Sequence, residues 1–189
     1  MPVNIEITTL PKIELFANLA SDELRQVLPA CDEVKVSAGQ SIITAGQQEQ
    51  ALYVLLEGTA EVDLEPSRAG QRVVAELASG SVFGESSFFH ASPHSATVKA
   101  RTESRLLRLR RDTFDKLLQS GNVAALRIAA NAATILASRL QAADHFIVDL
   151  LEQIQDERVR DALARFRSAL SHPFSGTVRP SLQVGSIQQ

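Results

Sequence analysis

At 189 residues, 44% of them hydrophobic and 22% charged, the chain is long enough for one domain with a sizeable core and an accessory element, and its formal charge of -3 excludes a general attraction to nucleic acid or to an anionic membrane. Its one cysteine, Cys31, excludes an internal disulfide and a cysteine-held iron–sulfur cluster. The opening MPVNIEITTLPKIELF has neither the basic start nor the apolar run of a secretory signal, so the expected compartment is the reducing cytoplasm.

Residues 1–32 read as a helical lead-in. Pro11 opens a turn, Leu15, Phe16 and Leu19 form an apolar cluster, and Ser21 with Asp22 is placed to cap a helix carrying Leu24, Val27 and Leu28. From 33 to 111 the punctuation changes. Short apolar runs at 34–36, 42–43, 52–56, 60–64 and 73–77 lie between Gly39, Gly46, Gly58, Gly70 and Gly80, as expected of short strands joined by tight turns. Thr59, Glu61, Asp63 and Glu65 alternate with Ala60, Val62 and Leu64, the pattern of a strand with one face in a core. Many short strands at even spacing predict a jelly roll, or double-stranded β-helix. The expected fold class is mainly β with helices.

Within this region the stretch 80–98, GSVFGESSFFHASPHSATV, breaks the strand pattern for about one helical turn. Gly80 and Gly84 allow sharp turns and close backbone approach. Glu85, Ser86 and Ser87 suit the start of a short helix whose N–H groups would face an anion. Pro93 ends the excursion, and residues 95–100 (SATVKA) resume alternation. This stretch resembles the phosphate-binding cassette of cyclic-nucleotide-binding domains, the sensor modules of catabolite-activator-type regulators, protein kinase A regulatory subunits and cyclic-nucleotide-gated channels. The cassette reads F-G-E, an apolar pair, a variable loop, then R-[ST]-A-[ST]-V. Phe83, Gly84 and Glu85, with Ser95, Ala96, Thr97 and Val98, match it. The resemblance implies that Glu85 accepts a hydrogen bond from a ribose hydroxyl. It also implies that position 94 holds the cyclic phosphate, and here His94 replaces the arginine. Ser86 stands where an apolar residue is usual. An arginine is a permanently charged fork, whereas an imidazole is charged only when protonated, so the substitution weakens the expected grip. The similarity extends over residues 10–145 through AGQSIITAGQ, LYVLLEGTAEV and LASGSVFGE. The ligand-contacting set is then Phe83, Gly84, Glu85, Ser86, Ser87, His94, Ser95 and Ala96, and the ligand it implies is cAMP or cGMP.

Jelly rolls also house metal enzymes, but their H-x-H pattern is absent here. His90, His94 and Glu85 could form a 2-His-1-carboxylate site only if the loop brought them together. No nucleophile elbow or Walker loop occurs. The reading is therefore no enzyme, no metal and no resident cofactor.

Arg101, Arg105, Arg108, Arg110 and Arg111 are interleaved with Leu106, Leu107 and Leu109, which reads as a half-buried strand with a charged outer face. Residues 112–171 change to a helical period. Asp112 or Thr113 caps a short helix through Phe114, Leu117 and Leu118 that ends at Gly121. A long helix follows from about Asn122. Leu126, Ala133, Leu140, Ile147 and Ile154 fall at one heptad position, and Ala129, Leu136, Ala143 and Leu150 at another, predicting a parallel homodimer through the 122–154 helix. Asn122, Arg127, Asn131 and Arg139 interrupt its apolar run, against a membrane span. The resemblance implies that residues after Arg139, Leu140 and Gln141 touch the base, which places Asp144 at the ligand and His145 beside it. A last helix carries Val159, Ala162, Leu163, Phe166 and Leu170, and Pro173 stops it. Residues 172–189 read as a flexible tail without the two further helices of a helix-turn-helix, so direct DNA reading is not expected.

Taken together these features favour a dimeric sensor module that binds a small anion and signals to an as yet unknown protein partner. The alternatives are a ligand-independent interaction module of the same fold and a truncated transcription regulator.

Overall fold

Short strands set off by tight turns in the middle of the chain build two sheets. The computed structural model describes residues 7–64, 72–153 and 157–171. Among them the strands are β1 (Cys31–Val36), β2 (Ser41–Ile43), β3 (Ala51–Glu57), β4 (Ala60–Leu64), β5 (Arg72–Leu77), β6 (Val82–Phe83), β7 (Ala96–Ala100) and β8 (Ser104–Arg110). They form two antiparallel four-stranded sheets of order β1-β8-β3-β6 and β2-β7-β4-β5, the jelly-roll arrangement expected from the spacing of the turns.

The central strands of the first sheet, β3 and β8, carry buried residues on both faces. Ala51, Tyr53 and Leu55 of β3 and Leu106 of β8 join Ile43, Ala60, Val98 and Ala100 of the second sheet in a core between the sheets. Leu52 and Val54 of β3 and Leu107 and Leu109 of β8 point the other way, into a core shared with the helices. That is why residues 51–56 are an unbroken apolar run, whereas the one-sided strand β7 alternates; in β4 the expected alternation fails at Asp63, which is buried while Val62 is half-buried, beside a register shift against β5. The charged-outer-face reading of residues 104–110 is corrected accordingly, because Leu106 and Leu107 lie on opposite faces and both are buried.

The arginines of this strand are absorbed by the protein itself. Arg105 pairs with Glu33 at 3.3 Å and Glu57 at 3.0 Å, and Arg108 with Asp32 at 3.1 Å and Glu49 at 3.4 Å. Arg110 lies near Asp32 and Asp112, and Arg101 reaches Glu61 and Glu76. Pairs this exposed contribute only about 0–1 kcal/mol each. Their larger consequence is to cancel the positive field of the basic run.

Four helices frame the barrel side of the molecule: α1 (Ser21–Val27), α2 (Glu85–Phe89), α3 (Arg111–Gln119) and the start of α4 (Val123–Gln153). The cap of α1 differs from expectation. Ala20 is the N-cap, and the Glu23 carboxylate accepts from its N–H at 2.8 Å, half of a capping box in which the reaching acid does the work. Neither Asp112 nor Thr113 caps α3, whose N-cap is Arg110. Gly121, at φ 73°, ends the following turn as predicted, and Asn122 accepts from Ala125 N at 3.0 Å to start α4.

The chain divides into two units, 1–136 and 137–189, at a boundary inside α4. In the first, Ala124, Ala125, Ile128, Ala132 and Ile135 are buried against the lead-in residues Leu10, Leu15, Phe16 and Leu19. Arg127 donates to Asn18 O at 2.7 Å and pairs with Glu23, and Asn131 donates to Leu15 O and Ala17 O. By length and composition α4 is apolar enough to cross a membrane, yet its N-terminal half spends its apolar face and both polar interruptions on the lead-in. In the second unit, the end of α4 and α5 (Glu157–Ser171) are tied by Arg167 Nε on Asp144 Oδ1 at 2.8 Å. The flexible tail assigned to 172–189 lies outside the described residues, as does Ile154 of the heptad pattern.

Truncating Ile128 to alanine should remove about 2–5 kcal/mol of stability, because the neighbours of a fully buried side chain cannot collapse into the space. Urea denaturation followed by circular dichroism measures it.

Candidate functional site

The bend at Gly84 decides where every other group of the site stands. Gly84 is left-handed, with φ 82° and ψ 0°. A Cβ there would lie 2.5 Å from Ala51 O and 3.2 Å from Tyr53 Cδ2, so only glycine lets the chain leave β6 and enter α2 against β3. Tyr53 stacks on Phe83 at 5.4 Å and forms the floor under this turn. Burial, then the Glu49 carboxylate, push its phenol up to about 12, which keeps Tyr53 neutral and suited to a hydrophobic floor.

α2 is one short turn whose Phe88 and His90 N–H groups donate to Gly84 O and Ser86 O. Its far end is anchored from two sides. Gln50 donates to Ser87 O at 3.3 Å, and Arg111 donates to Phe88 O at 3.0 Å while its Nε pairs with Asp115 at 2.8 Å. The Arg111 guanidinium also lies 5.7 Å from the Phe88 ring centre, and Phe88 meets Phe114 of α3 edge-on at 5.2 Å. Beside this anchor is a cleft of about 420 Å³ lined by Gln48, Glu49, Gln50, Arg110, Arg111, Asp112 and Asp115.

The return loop is laced to the β2–β3 connection. His94 N donates to Gln47 O at 3.0 Å, Gly46 N donates to His94 O at 2.8 Å, and Ala45 N donates to Thr97 Oγ1 at 3.1 Å. These bonds carry the His94 ring inward, where it is only 9% exposed. Its Nδ1 lies 2.9 Å from Ser87 Oγ, and Ser87 Oγ is 3.2 Å from Gly84 O. Nε2 is sealed from solvent and has no hydrogen-bond partner.

The structure thus brings Phe83, Gly84, Glu85, Ser87 and His94 together as buried or half-buried members of one turn-and-loop assembly, with Ala96 half-buried at the start of β7. Ser86 and Ser95 point to solvent. Asp144 belongs to the second unit, where the Arg167 hydrogen bond holds its carboxyl below the usual carboxylate range. His90 is exposed, and among the described residues no cluster including it, His94 and Glu85 is arranged to hold a metal ion. Gly46, Gln47, Gln50 and Arg111 were not foreseen as part of the site. The first two act through backbone atoms, which leave no mark in a sequence, and Arg111 was hidden in the basic run.

Comparison with known proteins places these residues in context. Residues 33–121 match the family model described as a cyclic nucleotide-binding domain. A cAMP-dependent protein kinase regulatory subunit from Blastocladiella emersonii is 36% identical over 104 residues, 55% of this chain and 26% of the relative. The chain thus spans about a quarter of that protein's length. The catabolite activator protein of Thermus thermophilus superposes with a TM-score of 0.66 at 30% identity, over 74% of this chain and 63% of that one. A cyclic nucleotide-binding domain from Methylobacillus flagellatus has the same fold, with a TM-score of 0.69 at 20% identity over 80% of this chain and 83% of that one.

Gly84→Ala should destabilise the fold by roughly 2 kcal/mol or more, from the left-handed strain and the contact with Ala51 O. Gly80→Ala, at a positive φ but with open space around the new methyl, should cost less, and paired denaturation curves compare the two.

Proposed function

We propose that the chain is a regulatory sensor module for a small phosphate-bearing ligand of the cyclic-nucleotide type, on the premise that residues 33–121 belong to the cyclic nucleotide-binding domain family. The observation that carries this reading is the orphaned, buried Nε2 of His94 beside the Gly84 turn. A buried polar atom without a partner is costly, and a site that receives a ligand is where such a cost is tolerated. Phe83, Gly84, Glu85, Ser87, His94 and Ala96 form the proposed site, Glu85 toward a ribose hydroxyl and His94 toward the phosphate. Ser86 and Ser95 fall at its solvent edge.

Assembly as a homodimer is part of the proposal. On α4 the residues opposite the buried face, Leu126, Ala130, Ala133, Ala137 and Leu140, are exposed, Leu126 at 58% and Leu140 at 54%. Ala129 and Leu136, assigned to the seam by the heptad reading, are half-buried, so the proposed seam runs along 126, 130, 133, 137 and 140. The downstream partner is then a protein, since each arginine of the 101–111 run already faces a carboxylate and offers nucleic acid no free positive field. Cys31 is buried, and burial followed by Asp32 pushes its thiol up to about 12, so it is not a reactive thiolate.

A second reading, a ligand-independent interaction module, draws on the His94–Ser87 hydrogen bond, which fills the cradle from within. Titration calorimetry with cAMP and cGMP separates the two. The sensor reading expects saturable binding, and His94→Arg should tighten it at least about tenfold, since a charge-assisted pair of this kind is typically worth about 2–5 kcal/mol. Absence of heat for both proteins would favour the interaction module. For assembly, Leu126→Glu with Leu140→Glu should convert a dimer into a monomer by sedimentation velocity with the circular dichroism spectrum unchanged; a monomeric wild type would remove the dimer from the proposal.

A further inference from the structure

The geometry points to anion binding at this site being coupled to uptake of one proton by His94, so that acid strengthens the grip and base releases it. The inference rests on the sensor reading above and adds its regulation.

The hydrogen-bond chain sets the argument. Ser87 Oγ lies 3.2 Å from Gly84 O, a carbonyl that can only accept and that also receives the Phe88 N–H, and we assign the single hydroxyl proton of Ser87 to it. The oxygen of Ser87 is then an acceptor for His94, 2.9 Å away, and Nδ1 carries the ring proton. In the neutral ring Nε2 is consequently a bare lone pair, and it is this nitrogen that is buried without a partner. A bare lone pair repels an anion. Protonation at Nε2 turns the same atom into a charged donor with no acceptor, and a phosphate oxygen supplies the acceptor. Ligand and proton thus each satisfy what the other leaves unmet. Because Nδ1 is fixed by Ser87 and the backbone of residue 94 is fixed by Gly46 and Gln47, the ring cannot escape the mismatch by swinging to solvent.

The titratable groups on the elements packed against His94 are few. α2 brings Glu85, the loop brings exposed His90, β7 brings Lys99, and residues 44–47 bring none. Of these Glu85 and His90 are rival sources of acid-favoured binding, since protonating Glu85 relieves repulsion of an anion and protonating His90 adds attraction. The sign is the usual one for a histidine that gains an anionic partner. The bound form favours the proton, so the contribution is present at low pH and lost as pH rises.

Calorimetry with cAMP from pH 5.5 to 8.5 tests this, because a phosphodiester keeps one negative charge across that range and any titration belongs to the protein. The expected result is an affinity that falls toward about tenfold per pH unit at the alkaline end, the limit for one linked proton, with a flat profile in His94→Arg. Binding by the wild type that does not change with pH would overturn the coupling and leave the sensor reading intact. A slope that persists in His94→Arg would also overturn it, in favour of Glu85 or His90. No binding by either protein at any pH would remove the sensor reading itself. Ring nitrogen chemical shifts of His94 in the wild type give an independent check without substitution: a protonated Nδ1 and bare Nε2 at pH 8.5 without ligand, with Nε2 protonated at pH 6 in saturating cAMP. A neutral ring protonated at Nε2 would overturn the proposal.

Discussion

The contact between the Gly84 turn and the carbonyl of Ala51 is the constraint from which the rest of the site follows. A backbone atom of β3 stands where any other residue would place its Cβ, at 2.5 Å, and β3 cannot withdraw because both of its faces are buried. The left-handed bend therefore costs nothing only with glycine, and it delivers α2 at a fixed height over Tyr53. Ser87 and Gly84 O are then positioned by covalent geometry, and His94 is brought to them by hydrogen bonds of its own backbone. A group placed by backbone bonds rather than by a long side chain keeps its place when solvent or ligand changes, which is what a binding site requires.

The aromatic and cationic contacts at the other end of α2 extend that fixed frame. Arg111 begins α3, yet its guanidinium serves the Phe88 carbonyl near the end of α2, and Phe88 is buried against Phe114. Any displacement of α2 must therefore disturb the first helix after the barrel. Ordinary ion pairs on the strand faces do not share this property, because an exposed pair can break and re-form in water at little cost. A guanidinium held at once by a carbonyl, a carboxylate and a ring is a three-way joint, and its geometry is set by all three.

Much of this was legible in the sequence, for reasons specific to each element. The alternation at 95–100 marked a one-sided strand, whereas that at 59–65 fails at Asp63, which is buried beside a register shift, and the run at 52–56 marked a strand without showing that it serves two cores. The Gly84 bend was legible because glycine is the only residue that tolerates it. What escaped were interactions with no side-chain signature. Gly46 and Gln47 hold His94 through amide and carbonyl groups, and the two-residue strand β6 is defined by pairing with Tyr53 and Val54 rather than by any pattern of its own. The inward turn of His94 was also hidden, since a loop histidine and a buried one are the same letter until the backbone is placed.

The heptad pattern on α4 shows the complementary limit. Alanine is small enough to sit on a core, at a helix seam or in water, so a stripe of alanines fixes a period without fixing a direction. Assigning Ala129 and Leu136 to the partner face was reasonable by period alone. The lead-in segment decides otherwise, because Ile128, Ala132 and Ile135 are already committed to it and Asn131 and Arg127 bond its carbonyls. Those commitments fix the rotation of the helix, and Leu126, Ala130 and Ala133 are left on the side facing water. The polar residues that break the apolar run thus do more than argue against a membrane. They choose which of two similar stripes is left exposed.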